Sequence, residues 1–327
     1  MNFSRRAIRV LIALCVAATG GCALAPEKQG ARAEPAVAQA PAVKAEPPVA
    51  PAPAVKTAPA VAPAPAAKVE PPVAPAPETA EKLFEPTVGQ AGRDVIWVPT
   101  PYALVEKMLD LAKVTPRDYV VDLGSGDGRN VIAAAKRGAR ALGVEYNPDM
   151  VELSKRMAAK EGVSGKATFV QGDMFEADIS QATVLALFLL TDNLNKLAPK
   201  FLELKPGTRI VSNGFQISDW HVDETQKSDG DCGSWCTAYL YLVPAKVAGV
   251  WKLPFGELKL EQKAQTITGA LSVDGKTQPI AKGLMRGDQI AFAAGGIEYT
   301  GRVNGDSMDG RRKGSASGLW TATRVKK

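Results

Sequence analysis

The chain has 327 residues, of which 46% are hydrophobic, and a formal net charge of +6 at pH 7. This length allows two domains with additional segments, and the hydrophobic fraction is large enough for a sizeable core. Lys and Arg are spread along the chain without an interleaved aromatic stripe, so we expect no nucleic-acid partner. The single histidine, His221, excludes a metal site built from several histidines, and we expect no metal.

Residues 1–22 have the pattern of a signal peptide. Three arginines precede the apolar run Val10–Ala18, which is too short to cross a bilayer as a helix. The small residues that end at Cys22 resemble a bacterial lipobox, in which the cysteine is lipidated, although Thr19 stands where leucine is usual. We expect a lipoprotein of the cell envelope, held at the membrane through Cys22 and facing the periplasm. The alternatives are an uncleaved anchor and a cytoplasmic protein.

Residues 23–86 form an Ala/Pro/Val segment of low complexity that contains fifteen of the 24 prolines. The sequence E-P-P-V-A-P-A-P at residues 46–53 recurs at residues 70–77. Such a composition cannot build a core and favours extended polyproline II. We therefore expect a disordered, semi-rigid linker that the folded part does not need.

Residues 87–248 alternate between strand and helix patterns, which predicts an α/β domain with a Rossmann-like, doubly wound, mostly parallel sheet. The apolar run Val184–Leu190 fits a strand that is covered on both faces, and Thr237–Val243 is a late strand. The predicted helices are Ala103–Leu111, Asn130–Arg137, Pro148–Glu161 and Asn193–Leu204. The other predicted strands are Tyr119–Leu123, Ala141–Glu145, Ala167–Gln171 and Arg209–Asn213.

Residues 249–327 are rich in Gly, Thr and Lys and contain short alternating runs, which predict a small antiparallel β domain. Asp274-Gly275 is a typical hairpin turn. The domain has no readable catalytic motif, so we expect a structural or substrate-docking role. Its predicted strands are Glu257–Gln262, Thr266–Val273, Gln289–Ala294, Glu298–Val303 and Leu319–Arg324.

The segment Tyr119–Arg129, Y-V-V-D-L-G-S-G-D-G-R, indicates a buried strand, a glycine loop and the start of a helix. Alternating glycines allow a sharp turn, close approach of the backbone to a ligand and packing of the helix on the sheet. The free N–H groups of the helix favour a carboxylate, whereas an acid at the strand end suits an ammonium group. S-adenosylmethionine carries both groups. The predicted ligand contacts here are Asp122, Gly124, Ser125, Gly126 and Gly128.

Two more acids follow the ends of predicted strands. Glu145 comes 23 residues after Asp122, and an acid at this position can accept hydrogen bonds from both ribose hydroxyls. Asp173 follows the third strand, where it could bind an adenine amino group, with Met174 or Phe175 against the ring.

The motif D-L-G-S-G-D-G, Glu145 and Gly172-Asp173 together resemble the motifs of class I S-adenosylmethionine-dependent methyltransferases over residues 94–245. The segment Val98–Pro101, V-P-T-P, is similar to an archaeal, bacterial and mitochondrial group that includes protein-lysine methyltransferases. The resemblance implies S-adenosyl-L-methionine as cofactor, EC 2.1.1.-, and a protein lysine as methyl acceptor. It also implies that Thr237–Val243 belongs to an antiparallel edge pair.

Methyl transfer needs mainly positioning and exclusion of water and little acid–base catalysis. The sequence identifies no catalytic base, which is therefore left as unknown. In class I enzymes the end of the fourth strand faces the transferred methyl, which makes Asp192 and Asn193 candidates to orient the nucleophile, with helix N-capping as the alternative role. Tyr102 is a candidate to cover the ligand. His221 is expected in a surface loop.

Two alternatives to protein-lysine methylation remain open at this point. The acceptor could be a small molecule, or the protein could be an exported cofactor-binding module without catalysis, because the methyl donor is made in the cytosol. The N-P-P-Y motif of amide methylation is absent, which argues against glutamine or adenine as acceptor. In an exported protein, Cys232 and Cys236 are expected to form a disulfide.

Overall fold

A computed structural model describes residues 83–229 and 232–326. The predicted signal peptide, Cys22 and most of the linker lie outside these residues, and the division of the chain at residues 22, 86 and 248 stays a prediction. Across the described residues, every helix is too short or too polar to span a membrane.

The first sheet contains seven strands in the order β3-β2-β1-β4-β5-β7-β6, with the bounds β1 Tyr119–Leu123, β2 Arg140–Glu145, β3 Ala167–Gln171, β4 Val184–Leu187, β5 Arg209–Asn213, β6 Glu224–Lys227 and β7 Thr237–Leu242. The first five strands are parallel. Strand β7 runs antiparallel to both β5 and β6. The predicted Rossmann-like, mostly parallel sheet is thus confirmed.

Helices cover both faces of this sheet: α1 Tyr102–Leu111, α2 Arg129–Lys136, α3 Pro148–Lys160 and α4 Thr191–Phe201. Adjacent residues of a strand face opposite sides. Val120 accordingly packs with the buried residues of α1, α2 and α3, whereas Val121 packs with those of α4. Burial on both faces explains why the parallel strands are almost continuously apolar.

Two neighbouring predicted elements, the fourth strand and the helix after it, differ from the structure by more than one residue. The fourth strand ends at Leu187 rather than Leu190, and Leu190, in extended conformation, is the N-cap of α4. Asp192 and Asn193 therefore lie in the first helical turn, and the N-capping role considered for them is wrong. The implied antiparallel edge pair is confirmed, because Thr237–Leu242 pairs with β6 at the edge of the sheet. The short, polar strand β6 itself was not predicted, because it lacks the alternation typical of a strand.

The second sheet is antiparallel and has nine strands: β8 Gly249–Leu253, β9 Gly256–Lys263, β10 Thr266–Val273, β11 Lys276–Pro279, β12 Ala281–Arg286, β13 Gln289–Ala294, β14 Ile297–Asn304, β15 Ser307–Lys313 and β16 Gly318–Arg324. Pairing of β16 with β8 and of β9 with β10 closes it into a barrel, and β11 pairs with β10 only. The predicted antiparallel domain is confirmed, while its closure was not predicted.

Side chains fill the interior of the barrel. Phe292 stacks on Tyr299 with ring centroids 4.7 Å apart, and Trp320 packs edge-on against both rings. Asp274 and Gly275 both adopt positive φ between the paired residues at the ends of β10 and β11. This is the hairpin turn that the sequence predicts.

Candidate active site

A cleft with about 740 Å³ of open space lies at the carboxyl ends of the parallel strands. A smaller pocket of about 320 Å³ adjoins it, and both share Trp97, Val98, Gly124 and Phe188 in their walls. Glu145, Asp173 and Met174 line the larger space, and Asp122, Ser125 and Gly126 line the smaller one. Most of the residues predicted to contact the ligand therefore border one continuous cleft.

Asp122 lies at the bottom of the smaller pocket and is only 3% exposed. Its Oδ2 accepts a hydrogen bond of 3.1 Å from Asn130 Nδ2, while its Oδ1 has no partner among the described residues. Burial raises the pKa of the Asp122 carboxyl well above its usual range; the Asn130 hydrogen bond opposes this, and the charges of Glu145 and Asp127 add to it. A cation bound beside Oδ1 would stabilise the ionised form.

The glycines of the loop have different surroundings. Gly126 has a φ of +55°, and a Cβ there would lie 2.6 Å from Trp97 Nε1, so the residue keeps the loop close to the opposite wall. Gly128 lies outside both pocket walls, and a Cβ there would lie 2.5 Å from the Phe169 ring. Its position suits packing of α2 and α3 on the sheet rather than the ligand contact predicted for it.

The Glu145 carboxylate is fixed by the backbone. Its Oε2 accepts from Gly126 N at 2.9 Å and its Oε1 accepts from Asn147 N at 3.0 Å. Each oxygen keeps a second lone pair, which suits acceptance of hydrogen bonds from a diol. The carboxylate also ties the glycine loop to the turn after β2.

The N-terminal segment forms one wall of the cleft, through residues upstream of Tyr102 that the sequence did not indicate. Gly89 N donates to Trp97 O and Trp97 N donates to Gln90 O, both at 2.9 Å, so the chain folds back on itself. Arg93 at the tip forms an ion pair of 2.7 Å with Asp173 Oδ2 and lies 4.5 Å from the centroid of the Tyr146 ring. Asp173, the predicted adenine contact, is thus linked to this segment.

Met174 and Phe175, the two alternatives considered for contact with an adenine ring, differ in position. Met174 is buried and lines the cleft. Phe175 is outside its walls, and its ring instead lies 5.8 Å from Lys196 Nζ. Met174 is therefore the better placed of the two.

The V-P-T-P segment contacts the glycine loop directly. Arg129 Nη1 donates to the Thr100 carbonyl at 2.7 Å, and the same guanidinium binds Asp127 through Nε and Nη2. Arg129 also lies 4.7 Å from the centroid of the Tyr102 ring. Tyr102 is 60% exposed and outside the cleft walls, so its observed contact is with this arginine.

The polar side chains near the ends of β4 and β5 differ in how deeply they are buried. Asp192 is exposed, whereas Asn193 is buried and its Nδ2 has no partner among the described residues. Asn213, at the end of β5, is fully buried, and its Nδ2 lies 3.4 Å from Thr100 Oγ1. His221 is exposed in the loop before β6, as predicted.

In chemical terms, the cleft offers a buried carboxylate for an ammonium group, a fixed carboxylate for a diol, and an acid beside an apolar side chain for an amino-substituted ring. These groups fit the ammonium, ribose and adenine of S-adenosylmethionine. Within residues 83–229 and 232–326, no group of three His, Cys, Asp or Glu side chains could hold a metal ion.

Comparisons with known proteins agree with this chemistry. The ANTKMT methyltransferase domain family matches residues 122–224. A protein-lysine N-methyltransferase from Saccharolobus islandicus (strain REY15A) is 46% identical over 153 residues, which are 46% of this chain and 94% of that protein. An adenine nucleotide translocase lysine N-methyltransferase from Mus musculus is 34% identical over 141 residues, which are 42% of this chain and 57% of that protein.

One similar solved structure is an RNA methyltransferase from Salinibacter ruber in complex with S-adenosyl-L-homocysteine. It is 44% identical, covers 46% of this chain and 96% of that chain, and has a TM-score of 0.43. The archaeal relative is matched along nearly its whole length. This chain therefore belongs to the class I S-adenosylmethionine-dependent methyltransferases, in the group that includes protein-lysine methyltransferases, and its cofactor is S-adenosyl-L-methionine.

Proposed function

We propose that the protein methylates the ε-amino group of lysine in a protein acceptor, an activity in EC 2.1.1.-. The observation that carries this proposal is the 46% identity along 94% of an archaeal protein-lysine N-methyltransferase. A cleft with three carboxylates, each of which suits a different part of the cofactor, supports it.

Each wall of the cleft has a role in this proposal. Asp122 Oδ1 binds the ammonium group of the cofactor, and the Glu145 carboxylate accepts from the ribose hydroxyls. Asp173 and Met174 hold the adenine. Because Asp173 Oδ2 is already paired with Arg93, this oxygen would have to accept hydrogen bonds from both Arg93 and the adenine amino group. Trp97, on the N-terminal segment, covers Gly126 and limits access of water.

The cofactor supplies a methyl group on a sulfonium, which is already a good leaving group. The task of the protein is therefore to align a neutral amine with that methyl group and to exclude water. The cleft has apolar walls for this purpose, among them Phe188 and Leu189 beside the end of β4. Proton loss from the lysine to solvent suffices, so the proposal does not require a general base.

The proposal is tested with the full chain and methyl-tritiated S-adenosylmethionine, with separate membrane and soluble protein extracts as acceptors. We expect acid hydrolysis of the labelled protein to yield tritiated N-methyl-lysine. Extracts in which the lysine amines have been blocked by acetylation are the matched control. Label in small molecules only would favour the alternative of a small-molecule methyltransferase. Binding of S-adenosylhomocysteine without transfer to any extract would favour the non-catalytic module.

We also propose that the protein is a membrane-anchored lipoprotein of the cell envelope. The signal-like residues 1–22 support this, as does the Cys232–Cys236 disulfide, because disulfides persist in oxidising compartments. Fractionation of cells that express the full chain or Cys22→Ser tests it. We expect the full chain in the membrane fraction and the variant outside it; full-length protein in the cytosol for both would contradict the proposal.

A further inference from the structure

Three aromatic side chains meet beside the cleft, each from a different strand end. Phe188 follows β4, Phe215 follows β5, and Trp235 precedes β7. The ring centroids of Phe188 and Trp235 are 5.4 Å apart, those of Phe215 and Trp235 are 5.0 Å apart, and those of Phe188 and Phe215 are 6.1 Å apart. We refer to these three rings as the aromatic triad.

The aromatic triad reaches the cofactor cleft through Phe188. Phe188 lines both the larger space and the smaller pocket, so the triad begins where the two spaces meet. All three residues are only partly buried. A methyl acceptor that enters beside β4 would therefore meet the triad at Phe188.

A short disulfide-closed loop holds Trp235 in the triad. Cys232 and Cys236 are bonded, and Trp235 N donates to Cys232 O at 2.9 Å inside the loop. Gly214 provides the space for the ring, because a Cβ at that position would lie 2.9 Å from Trp235 Cε3. The loop thus fixes an aromatic ring that no regular element carries.

The triad differs from six other aromatic residues of the protein in its charged neighbours. Across the residues that the structure describes, arginine or lysine lies over the rings of other aromatic residues, namely Tyr102, Tyr119, Tyr146, Phe175, Trp251 and Phe255. No such cation lies over Phe188, Phe215 or Trp235 within that part of the chain. The faces of aromatic rings attract cations, including methylated ammonium groups.

We propose that the aromatic triad binds the ammonium group of the acceptor lysine, before and after methylation, and that the Cys232–Cys236 disulfide keeps Trp235 in position to do so. This inference rests on the proposed lysine methylation and adds the residues that recognise the acceptor. Trp235 is then a specificity residue, and the disulfide is a positioning device whose reduction weakens acceptor binding without affecting the cofactor.

A binding experiment tests the triad without any turnover. Full-length protein with ¹⁵N-labelled tryptophan, saturated with S-adenosylhomocysteine, is titrated with N-acetyl-trimethyllysine amide. The indole signal of Trp235 is identified by its loss in Trp235→Leu. We expect this signal to shift with the cation and to respond at least tenfold more weakly to the neutral isostere that ends in a tert-butyl group. An equal response to both ligands, or no response to the cation, would overturn the inference.

A kinetic experiment tests the same residue during methylation of poly-L-lysine as the probe acceptor. We expect Trp235→Leu to raise KM at least tenfold, with kcat and the Kd of S-adenosylhomocysteine within twofold of wild type. Trp235→Phe should recover most of the loss. An unchanged KM in Trp235→Leu would contradict the inference alone. Absence of methylation by the wild type with both poly-L-lysine and the protein extracts would contradict the proposed function, and the indole titration would then decide on the triad.

The role of the disulfide is tested with dithiothreitol, which reduces the Cys232–Cys236 bond to two thiols and is itself oxidised to a cyclic disulfide. We expect reduction to raise KM for poly-L-lysine in the wild type. The double variant Cys232→Ser/Cys236→Ser should start at the raised KM and not respond to dithiothreitol. A wild-type KM that reduction does not change would show that the disulfide does not position Trp235.

Discussion

In the part of the chain that the structure describes, buried polar atoms without a hydrogen-bond partner are grouped at one end of the parallel sheet but scattered in the barrel. In the barrel, Trp251 Nε1 donates to Val247 O at 2.8 Å and Trp320 Nε1 donates to Thr300 O at 3.1 Å. At the carboxyl end of the parallel sheet, Asp122 Oδ1, Ser125 Oγ and Asn130 Oδ1 are buried together in one region without partners among the described residues.

This difference separates a stabilising region from a binding region. A buried polar atom without a partner costs about 1–3 kcal/mol, so a group of such atoms indicates a place where a ligand completes the hydrogen bonds. In the described part of the barrel the two such atoms, Gln265 Oε1 and Arg312 Nε, are apart, one before β10 and the other on β15. We therefore expect barrel variants to change stability and cleft variants to change binding.

The largest effect is expected in the barrel. Trp320 is 2% exposed, whereas its neighbour Leu319 is 72% exposed. Trp320→Ala leaves a large cavity and should lower the free energy of unfolding by about 3–5 kcal/mol, measured by urea denaturation. Leu319→Ala is the matched control and should change it by at most about 0.5 kcal/mol. Similar losses in both variants would show that the interior of the barrel does not contribute as the structure indicates.

The next largest effect concerns the cofactor. Asp122→Asn removes the charge that pairs with an ammonium group and should weaken binding of S-adenosylhomocysteine by about 2–4 kcal/mol. The free energy of unfolding should stay the same or rise, because an unpaired buried carboxylate is costly to bury. A loss of stability with unchanged affinity would place Asp122 among the structural residues and break the contrast between the sheets.

A smaller effect is expected at the opposite end of the parallel strands. Burial raises the pKa of Asp118, but hydrogen bonds from Thr115, Thr183 and Arg209 outweigh it and leave the pKa below its usual value. A lowered folded-state pKa gives stability that is present above the unfolded pKa and is lost as pH falls through the folded pKa.

Asp118→Asn should therefore reduce the free energy of unfolding at neutral pH by about 1.5–3 kcal/mol, the range for hydrogen bonds to charged groups. The difference from wild type should shrink below about pH 4, where the unfolded carboxyl is protonated. Urea denaturation between pH 3 and 7 measures this, with the exposed Asp192→Asn as control. A difference that does not depend on pH would exclude the carboxylate charge as its source.

The smallest effect is expected for Glu145, whose side chain is only partly buried. Glu145→Gln keeps one acceptor oxygen and should weaken binding of S-adenosylhomocysteine by about 1–1.5 kcal/mol, the net value of one hydrogen bond. Calorimetric titration measures it, and Glu152→Gln, which alters an exposed glutamate on α3, serves as control. If Glu145→Gln bound as tightly as wild type, the ribose assignment would be wrong.

Much of the parallel sheet could be predicted because its signals are local. The strands Tyr119–Leu123, Ala167–Gln171 and Arg209–Asn213 have the predicted bounds, since each apolar run ends at a polar or glycine residue. The end of β4 could not be found in this way, because Phe188–Leu190 are as apolar as the strand before them. In the barrel, the strands Ala281–Arg286 and Ser307–Lys313 were missed because lysine, arginine and glycine interrupt their alternation.

The cleft could be predicted only where local motifs carry its residues. The predicted acids and glycines follow the ends of three strands, and the structure brings most of them to one cleft. Arg93 and Trp97 enter the site through folding of an N-terminal segment without a ligand-binding pattern. Likewise, the topology of the sheet brings Phe188 and Trp235 together across 47 residues of sequence, and no local pattern marks that contact.

Calorimetric titration of the full chain with S-adenosylhomocysteine tests the central claim most directly. Burial raises the pKa of Asp122 in the free protein, and pairing with the ammonium group should lower it, so the cofactor binds more tightly to the ionised carboxyl. We predict one binding site, affinity that falls as the pH is lowered, and a much smaller dependence on pH in Asp122→Asn. No binding, or identical titrations of wild type and Asp122→Asn, would contradict the account.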